Sequence, residues 1–201
     1  MRFLAFLFVV LLTTDCAGVG VVATSDPLQK LNNAEELFMR QDRPLLAELL
    51  IKEAMTIYQE QNDAHGLGNA HREYADLLLS PSVSGKWGNY YRSNGFLDKA
   101  VTYDNRATKA SEYYTKAVEY YGQAVAQLRE AGRYDSLTNV YFNMAYSFSR
   151  LDDRVNACRF YDEALNAYNE NIHRNPGVTP YSPSGTVADL VAEEKMQAGC
   201  A

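Results

Sequence analysis

Apolar residues along the chain recur at steps of three and four positions, and no stretch alternates apolar and polar residues over the length of a strand. This spacing places apolar side chains on one face of a helix, so the sequence predicts an all-α protein. Acidic residues mark predicted helix starts, as at Asp26, Asp63 and Asp153. Two segments, 80–95 and 177–185, are rich in Ser, Pro, Gly and Asn and are predicted to be loops.

Two residue patterns repeat along the predicted helices. The first has a large apolar residue, a small or flexible residue three positions later and an aromatic residue four positions after that: Leu31, Ala34 and Phe38; Leu67, Ala70 and Tyr74; Tyr141, Met144 and Phe148. The second has a small residue, a bulky one four positions later and an alanine three after that: Ala47, Ile51 and Ala54; Ala117, Tyr121 and Ala124; Ala157, Tyr161 and Ala164. Three such pairs of helices predict a stack in which each pair buries the apolar face of its neighbour.

The spacing between the two patterns reveals an insertion in the middle pair. Phe38 and Ala47 are nine positions apart, as are Phe148 and Ala157, whereas Tyr74 and Ala117 are 43 positions apart. The middle pair therefore contains 34 extra residues, placed at about 80–110. Because helical spacing of apolar residues resumes from about position 100, we expect the second helix of this pair to begin early and to project beyond its neighbours.

The paired helices resemble tetratricopeptide repeats over residues 27–176. The third pair carries the best match: Tyr141, Met144, Ala145 and Phe148, then Ala157, Tyr161, Ala164 and Pro176. The pattern departs from the family at Asp152, where a glycine is usual, and at Glu35 and His71, where a small residue is usual. The resemblance implies a short right-handed superhelix of about three helix pairs, and the tail 177–201 would supply a capping helix from Thr186 to Ala198.

Candidate binding residues follow from this resemblance. Each first helix has an asparagine two positions after the start of its pattern: Asn33, Asn69 and Asn143. In tetratricopeptide domains that bind peptides, an asparagine so placed contacts the ligand's main chain, and further polar side chains on the same face would be Arg40, Arg72, Tyr146 and Arg150. The alternative is that the asparagines bond neighbouring helices to each other and that the arginines are solvated.

Aromatic residues cluster in the insertion, at Trp87, Tyr90, Tyr91 and Phe96. A long loop in a compact domain is commonly functional or disordered, and this aromatic content is unlike a disordered linker. We interpret the segment as a flap that contacts a partner through its rings. The alternative is that the rings pack down the projecting helix.

The N-terminus has the pattern of an export signal. A short basic start precedes the apolar run Phe3 to Leu12, which is too short to span a bilayer. Around Cys16 the sequence resembles a bacterial lipoprotein signal, with residues 1–15 removed, Cys16 lipidated (for example with palmitate) and 16–26 as spacer. Ala17 after that cysteine implies an outer-membrane anchor facing the periplasm. The alternative is an ordinary signal cleaved near Ala23, which would give a soluble periplasmic or secreted protein.

Composition and charge exclude several functions. The chain has 201 residues, 47% of them hydrophobic and 22% charged, which is typical of a folded domain. A net charge of −6 without a basic cluster argues against nucleic acid as a partner.

Export would place Cys158 and Cys200 in an oxidising compartment, where a disulfide between them could persist. The alternative is that Cys158 is a small buried residue on a helix.

The sequence offers little support for catalysis. His65 and His71 are six positions apart, which does not place them on one helix face, so we expect neither a metal site nor a cofactor. No serine or cysteine lies in a nucleophile motif. We therefore expect a non-enzymatic scaffold that binds another envelope protein, in secretion, pilus or wall assembly. The alternatives are an immunity or inhibitor protein that neutralises a toxic enzyme and a small envelope hydrolase with an acidic pair.

Overall fold

The fold is all-α, as the sequence predicts. The computed structural model describes residues 23–176 and 185–200, and no strand occurs in those two ranges. The helices are α1 (Pro27–Met39), α2 (Pro44–Glu60), α3 (Ala64–Leu79), α4 (Pro81–Ser84), α5 (Gly88–Asn94), α6 (Arg106–Glu130), α7 (Tyr134–Arg150), α8 (Arg154–Arg174) and α9 (Val187–Gln197). The export signal, Cys16 and most of the spacer lie outside the described residues, as does the link 177–184.

The helix starts follow the capping residues in the sequence. Asp26, Asp63 and Asp153 each accept a hydrogen bond from a backbone N–H of the following first turn. At α9, Thr186 and Asp189 form a reciprocal capping box. Asp42 precedes α2 by two residues and has a positive φ of 53°, so it forms the turn between α1 and α2 instead of capping α2.

The helices pack in chain order as pairs. The closest partners are α1 with α2, α3 with α6, and α7 with α8, and α2 packs on α3 and α6 on α7. Both repeating patterns lie at these contacts. The alanines and central bulky residues of the second pattern are almost fully buried, and so are the first-pattern residues except Phe148, which is half-buried. Burial of this repeated face holds the successive pairs together.

Two glycines let the first helix of the middle pair approach its neighbours closely. A Cβ built on Gly66 would lie 2.1 Å from a ring carbon of Tyr58 on α2, and one on Gly68 would lie 2.5 Å from the ring of Tyr121 on α6. Both tyrosines are buried. A side chain at either glycine would therefore displace a core ring. These two close contacts fix the position of α3 between α2 and α6.

The insertion is compact. It forms α4, α5 and a stretch of turns, and then α6 begins at Arg106, eleven residues before Ala117. In α2 and α8 the matching alanine is only three residues from the helix start, so α6 does begin early. The helix does not extend back to Ala100 because side chains close turns there: Asn105 accepts from the Thr102 N–H at 2.7 Å, and Asp98 accepts from the Ala100 N–H at 3.0 Å.

The C-terminal helix α9 packs on α8. Val191 is its buried residue, whereas Met196 is exposed. Cys158 near the start of α8 and Cys200 just after α9 form a disulfide, with their Cα atoms 5.6 Å apart. Within the described parts of the chain, no helix is both long and apolar enough to cross a bilayer.

Candidate binding groove

The first helices of the three pairs line a groove. Two adjoining clefts of about 380 and about 250 Å³ make it up, and they share Glu35, Arg72, Glu73 and Asn143. Other side chains in the lining come from α1, α3, α7 and α9 and include Leu31, Phe38, Met39, Asn69, Asp76, Phe142, Tyr146, Arg150 and Glu194. We call this surface the α1–α3–α7 groove.

The three asparagines do not occupy equivalent places. Asn69 and Asn143 line the groove and are hydrogen-bonded to each other, with Asn143 Nδ2 donating to Asn69 Oδ1 at 3.1 Å. The same Asn69 oxygen accepts from the Tyr121 hydroxyl at 2.8 Å. Asn33 is outside the lining, and its neighbour Asn32 lies there in its place. The asparagines of α3 and α7 thus tie helices together, as the alternative interpretation predicts, while remaining at the groove surface.

Arg72 is bound to two carboxylates at the base of the groove. Its Nη2 donates to Glu73 Oε2 and its Nη1 to Asp76 Oδ2, both at 2.9 Å. Its Nε is buried and has no partner. Although burial opposes the charged guanidinium, the two carboxylates outweigh it and raise the pKa of Arg72. Arg72 is therefore a permanent cation that is already paired.

Asp76 is the centre of a second set of bonds. Its Oδ1 accepts from the Tyr114 hydroxyl at 2.5 Å and from the Tyr146 hydroxyl at 2.7 Å. Arg150 Nε in turn donates to the Tyr114 oxygen at 3.2 Å. With Oδ2 bound by Arg72, both oxygens of Asp76 are occupied by side chains of α3, α6 and α7.

Glu73 differs from Asp76 because one of its oxygens is unused. The residue is only 2% exposed, and its Oε1 is buried without a hydrogen-bond partner. Burial raises the pKa of Glu73 to about 8, with Asp76 and Glu35 adding to the shift and Arg72 opposing it. The upward shift prevails because the guanidinium of Arg72 is shared with Asp76. At neutral pH Glu73 therefore keeps its proton even beside Arg72, and a second positive charge at Oε1 would favour its ionisation.

Glu73 was not among the candidate residues of the sequence analysis, although the repeat register marks it. It lies six positions after Leu67, and the corresponding residues of the other first helices are Leu37 and Ser147. All three positions are buried. A glutamate at a position that holds leucine or serine in the other two pairs is the sequence feature that marks this site.

Arg40 does not contribute to the groove. Its side chain is 78% exposed, and its guanidinium lies 3.4 Å from Glu36 of the same helix. It is not part of the groove lining, unlike Arg72, Tyr146 and Arg150. The predicted face therefore brings together three of the four additional polar side chains.

The aromatic segment of the insertion is largely packed inward. Trp87 Nε1 donates to the backbone oxygen of Asp42 at 2.8 Å. Tyr91 is 1% exposed and stacks on Phe96, with ring centroids 4.2 Å apart. Tyr90 is the exposed ring of the four at 42%. Trp87 and Tyr91 thus make contacts within the protein, and Tyr90 is the ring that the flap interpretation leaves for a partner.

No model of a known protein family, no curated protein and no solved structure matches the chain. Within residues 23–176 and 185–200, no cluster of three or more His, Cys, Asp or Glu side chains could hold a metal ion.

Proposed function

We propose that the protein is a binding module of the bacterial cell envelope and that its α1–α3–α7 groove binds an extended segment of a partner protein. In this proposal the pairs α1/α2, α3/α6 and α7/α8 are tetratricopeptide-like repeats of a right-handed superhelix, and α9 caps the stack. The repeated residue patterns and the pairwise packing of these helices support that architecture.

One observation carries the proposal. The groove is lined by polar side chains, yet Glu73 Oε1 and Arg72 Nε are buried without a hydrogen-bond partner in the described part of the chain. Buried polar atoms without partners are rare and costly in folded proteins. An extended peptide supplies donors and acceptors along its main chain and side chains, so its binding would satisfy groups that the fold leaves unpaired.

We place the module near a membrane through the resemblance of the N-terminus to a lipoprotein signal. If Cys16 carries the lipid, the ten residues before α1 at Pro27 reach at most about 35 Å when fully extended. The groove would then stay close to the membrane surface. Labelling of cells with a fatty-acid probe, with Cys16→Ser as control, tests the anchor separately from the groove.

Capture of the partner tests the binding function. Wild type and two groove variants, Asn143→Ala and Met39→Ala, are crosslinked in cells and the captured proteins are quantified. Met39 is 60% exposed at the groove, so its replacement should not disturb folding. Asn169→Ala on the exposed surface of α8 is the matched control. We expect capture to fall by at least about threefold in both groove variants only. Equal capture by all four proteins would reject the groove as the binding surface.

A hydrolase is the second candidate because Glu73 has the raised pKa that a general acid needs. Such an enzyme would also need a base, and the nearby Asp76 has both oxygens bound by Arg72, Tyr114 and Tyr146. We therefore rank binding above catalysis.

A further inference from the structure

The α1–α3–α7 groove is acidic. Among the lining residues in the described part of the chain, Glu35, Glu73, Asp76 and Glu194 are carboxylates, and Arg72 and Arg150 are the guanidinium groups. Both guanidinium groups are engaged by neighbours, Arg72 with two carboxylates and Arg150 with Tyr114. We call the four carboxylates the acidic floor.

Within the acidic floor, Glu73 is the residue that points to a ligand. Asp76 is saturated by hydrogen bonds from Arg72, Tyr114 and Tyr146, whereas Glu73 Oε1 is buried and accepts none. Stability of the repeat does not require this carboxylate, because Leu37 and Ser147 fill the same register in the other first helices. A buried carboxyl group with one oxygen left without a partner costs folding energy, so its presence calls for a function.

Taking the proposed function as its basis, we propose that the acidic floor binds the side chain of an arginine or lysine in the partner's extended segment. A cation at Glu73 Oε1 would give a partner to the groove carboxyl oxygen that has none among the described residues. Glu35 at the exposed rim and Glu194 on α9 would add to the attraction. Charge-assisted hydrogen bonds of this kind are stronger than neutral ones, and they give the groove specificity for a basic residue.

A neutral Glu73 donating its proton to a backbone carbonyl is the competing arrangement, and pH separates the two. Burial raises the pKa of Glu73 to about 8, so a cation would bind more tightly as Glu73 loses its proton, whereas a carbonyl would bind less tightly. The charged and titratable groups around Glu73 are His65, Arg72 and Asp76 on α3, Glu35 on α1, Tyr121 on α6, Tyr146 and Arg150 on α7, and Glu194 on α9. Burial lowers the pKa of His65.

A library of random twelve-residue peptides displayed on phage is the probe. The full chain in detergent micelles is the bait, and affinities of selected, histidine-free peptides are then measured for wild type, Glu73→Gln, Glu35→Gln and Asn143→Ala. Glu35 is exposed, so Glu35→Gln keeps the test valid if Glu73→Gln folds poorly. Glu119→Gln on the exposed surface of α6 is the control.

We expect an arginine or lysine at one fixed position of the selected peptides, with affinity about tenfold weaker for Glu73→Gln, about threefold weaker for Glu35→Gln and unchanged for Glu119→Gln. Wild-type affinity should rise severalfold between about pH 6 and pH 8. Peptides that depend on Asn143 but show no basic preference, or whose affinity falls with pH, would overturn the cationic assignment and leave the proposed function standing. Selection of no peptide, or of peptides indifferent to every groove variant, would reject both.

Discussion

The insertion and the α1–α3–α7 groove differ in which of their buried polar atoms have hydrogen-bond partners. The insertion makes polar contacts to the rest of the chain: the Leu97 N–H donates to Glu48 Oε1 on α2, and the Ser82 hydroxyl donates to Asp42. The Tyr91 hydroxyl is the unpaired atom there, and it is neutral. In the groove the atoms without partners belong to Arg72 and Glu73, which are charged or ionisable.

This difference separates structure from function. Unpaired charged groups are more costly than an unpaired hydroxyl, so the groove bears a cost that the insertion avoids. The insertion, whose aromatic content suggested a contact surface, is built to stay in place. The groove is formed by ordinary helices, yet buried polar atoms of Arg72 and Glu73 lack hydrogen-bond partners there. We expect changes in the insertion to reduce stability and changes in the groove to alter binding and the pH dependence of stability.

The largest effect should come from Tyr91 in the insertion. Its ring is buried and stacked on Phe96, so Tyr91→Ala should lower the free energy of unfolding by about 4 kcal/mol through lost burial and a cavity. The adjacent Tyr90 is 42% exposed, and Tyr90→Ala should cost less than about 1 kcal/mol. Chemical denaturation followed by circular dichroism measures both.

The two tyrosine variants also test whether the insertion takes part in binding. Of the two, Tyr90→Ala should preserve the fold while removing an exposed ring. If Tyr90→Ala reduces partner capture without changing stability, Tyr90 contacts the partner. The insertion would then belong to the binding surface together with the groove.

The pH dependence of stability should show the energetic cost of ionising Glu73 in the groove. Glu73 in the folded protein has a pKa raised to about 8, above the ordinary glutamate value of 4.5 that applies when the chain is unfolded. Between these values the unfolded chain has released the proton and the folded protein retains it, so stability falls as pH rises through this window. The slope is about 1.4 kcal/mol per pH unit for one group.

Glu73→Gln removes that dependence. Relative to this variant, wild type should lose about 2 kcal/mol of stability between about pH 5.5 and pH 7. The comparison of the two proteins cancels the contributions of all other titrating groups, including His71, whose pKa burial lowers to about 4. Denaturation curves at several pH values provide the measurement, with Glu119→Gln as control. Parallel stability profiles for wild type and Glu73→Gln would mean that Glu73 is not held in its neutral form.

Residue patterns predicted the fold much better than the site. Repetition is redundant, so the three copies of each pattern identify the helix pairs even though Phe148 is half-buried and Asp152 replaces a glycine. The site depends on single residues and on their bonds across the stack. That Asn143 meets Asn69, or that Tyr146 meets Asp76, is decided by side-chain geometry between helices distant in sequence.

The orientation of the aromatic rings in the insertion also depends on contacts between distant residues. Aromatic residues serve equally well in an interface and in a core, and composition does not distinguish the two. What fixes Trp87 inward is a hydrogen bond to the backbone of Asp42, 45 residues earlier, in a turn with positive φ. A contact between such distant residues leaves no mark in the local pattern.

The smallest effect should distinguish two equivalent turns. Asp42 between α1 and α2 and Asp152 between α7 and α8 have φ values of 53° and 58°, in the left-handed region that favours glycine. Asp152 is exposed, so Asp152→Gly should raise the free energy of unfolding by about 0.5–1 kcal/mol through relief of this strain. Asp42→Gly relieves the same strain but removes the acceptor for the Ser82 hydroxyl and the ion pair with Lys86.

We therefore expect Asp152→Gly to be stabilising and Asp42→Gly to show no net gain, because the insertion depends on the Asp42 side chain. The pKa of Asp42 is lowered, first by the hydrogen bond from Ser82, so its folded-state advantage is present above the ordinary pKa of 3.8 and is lost as pH falls through the lowered value. Unfolding midpoints of both variants at neutral and strongly acidic pH are the measurement. Equal gains at neutral pH would show that Ser82 and Lys86 add nothing to the attachment of the insertion, and its stability would then have to come from buried rings such as Tyr91 alone.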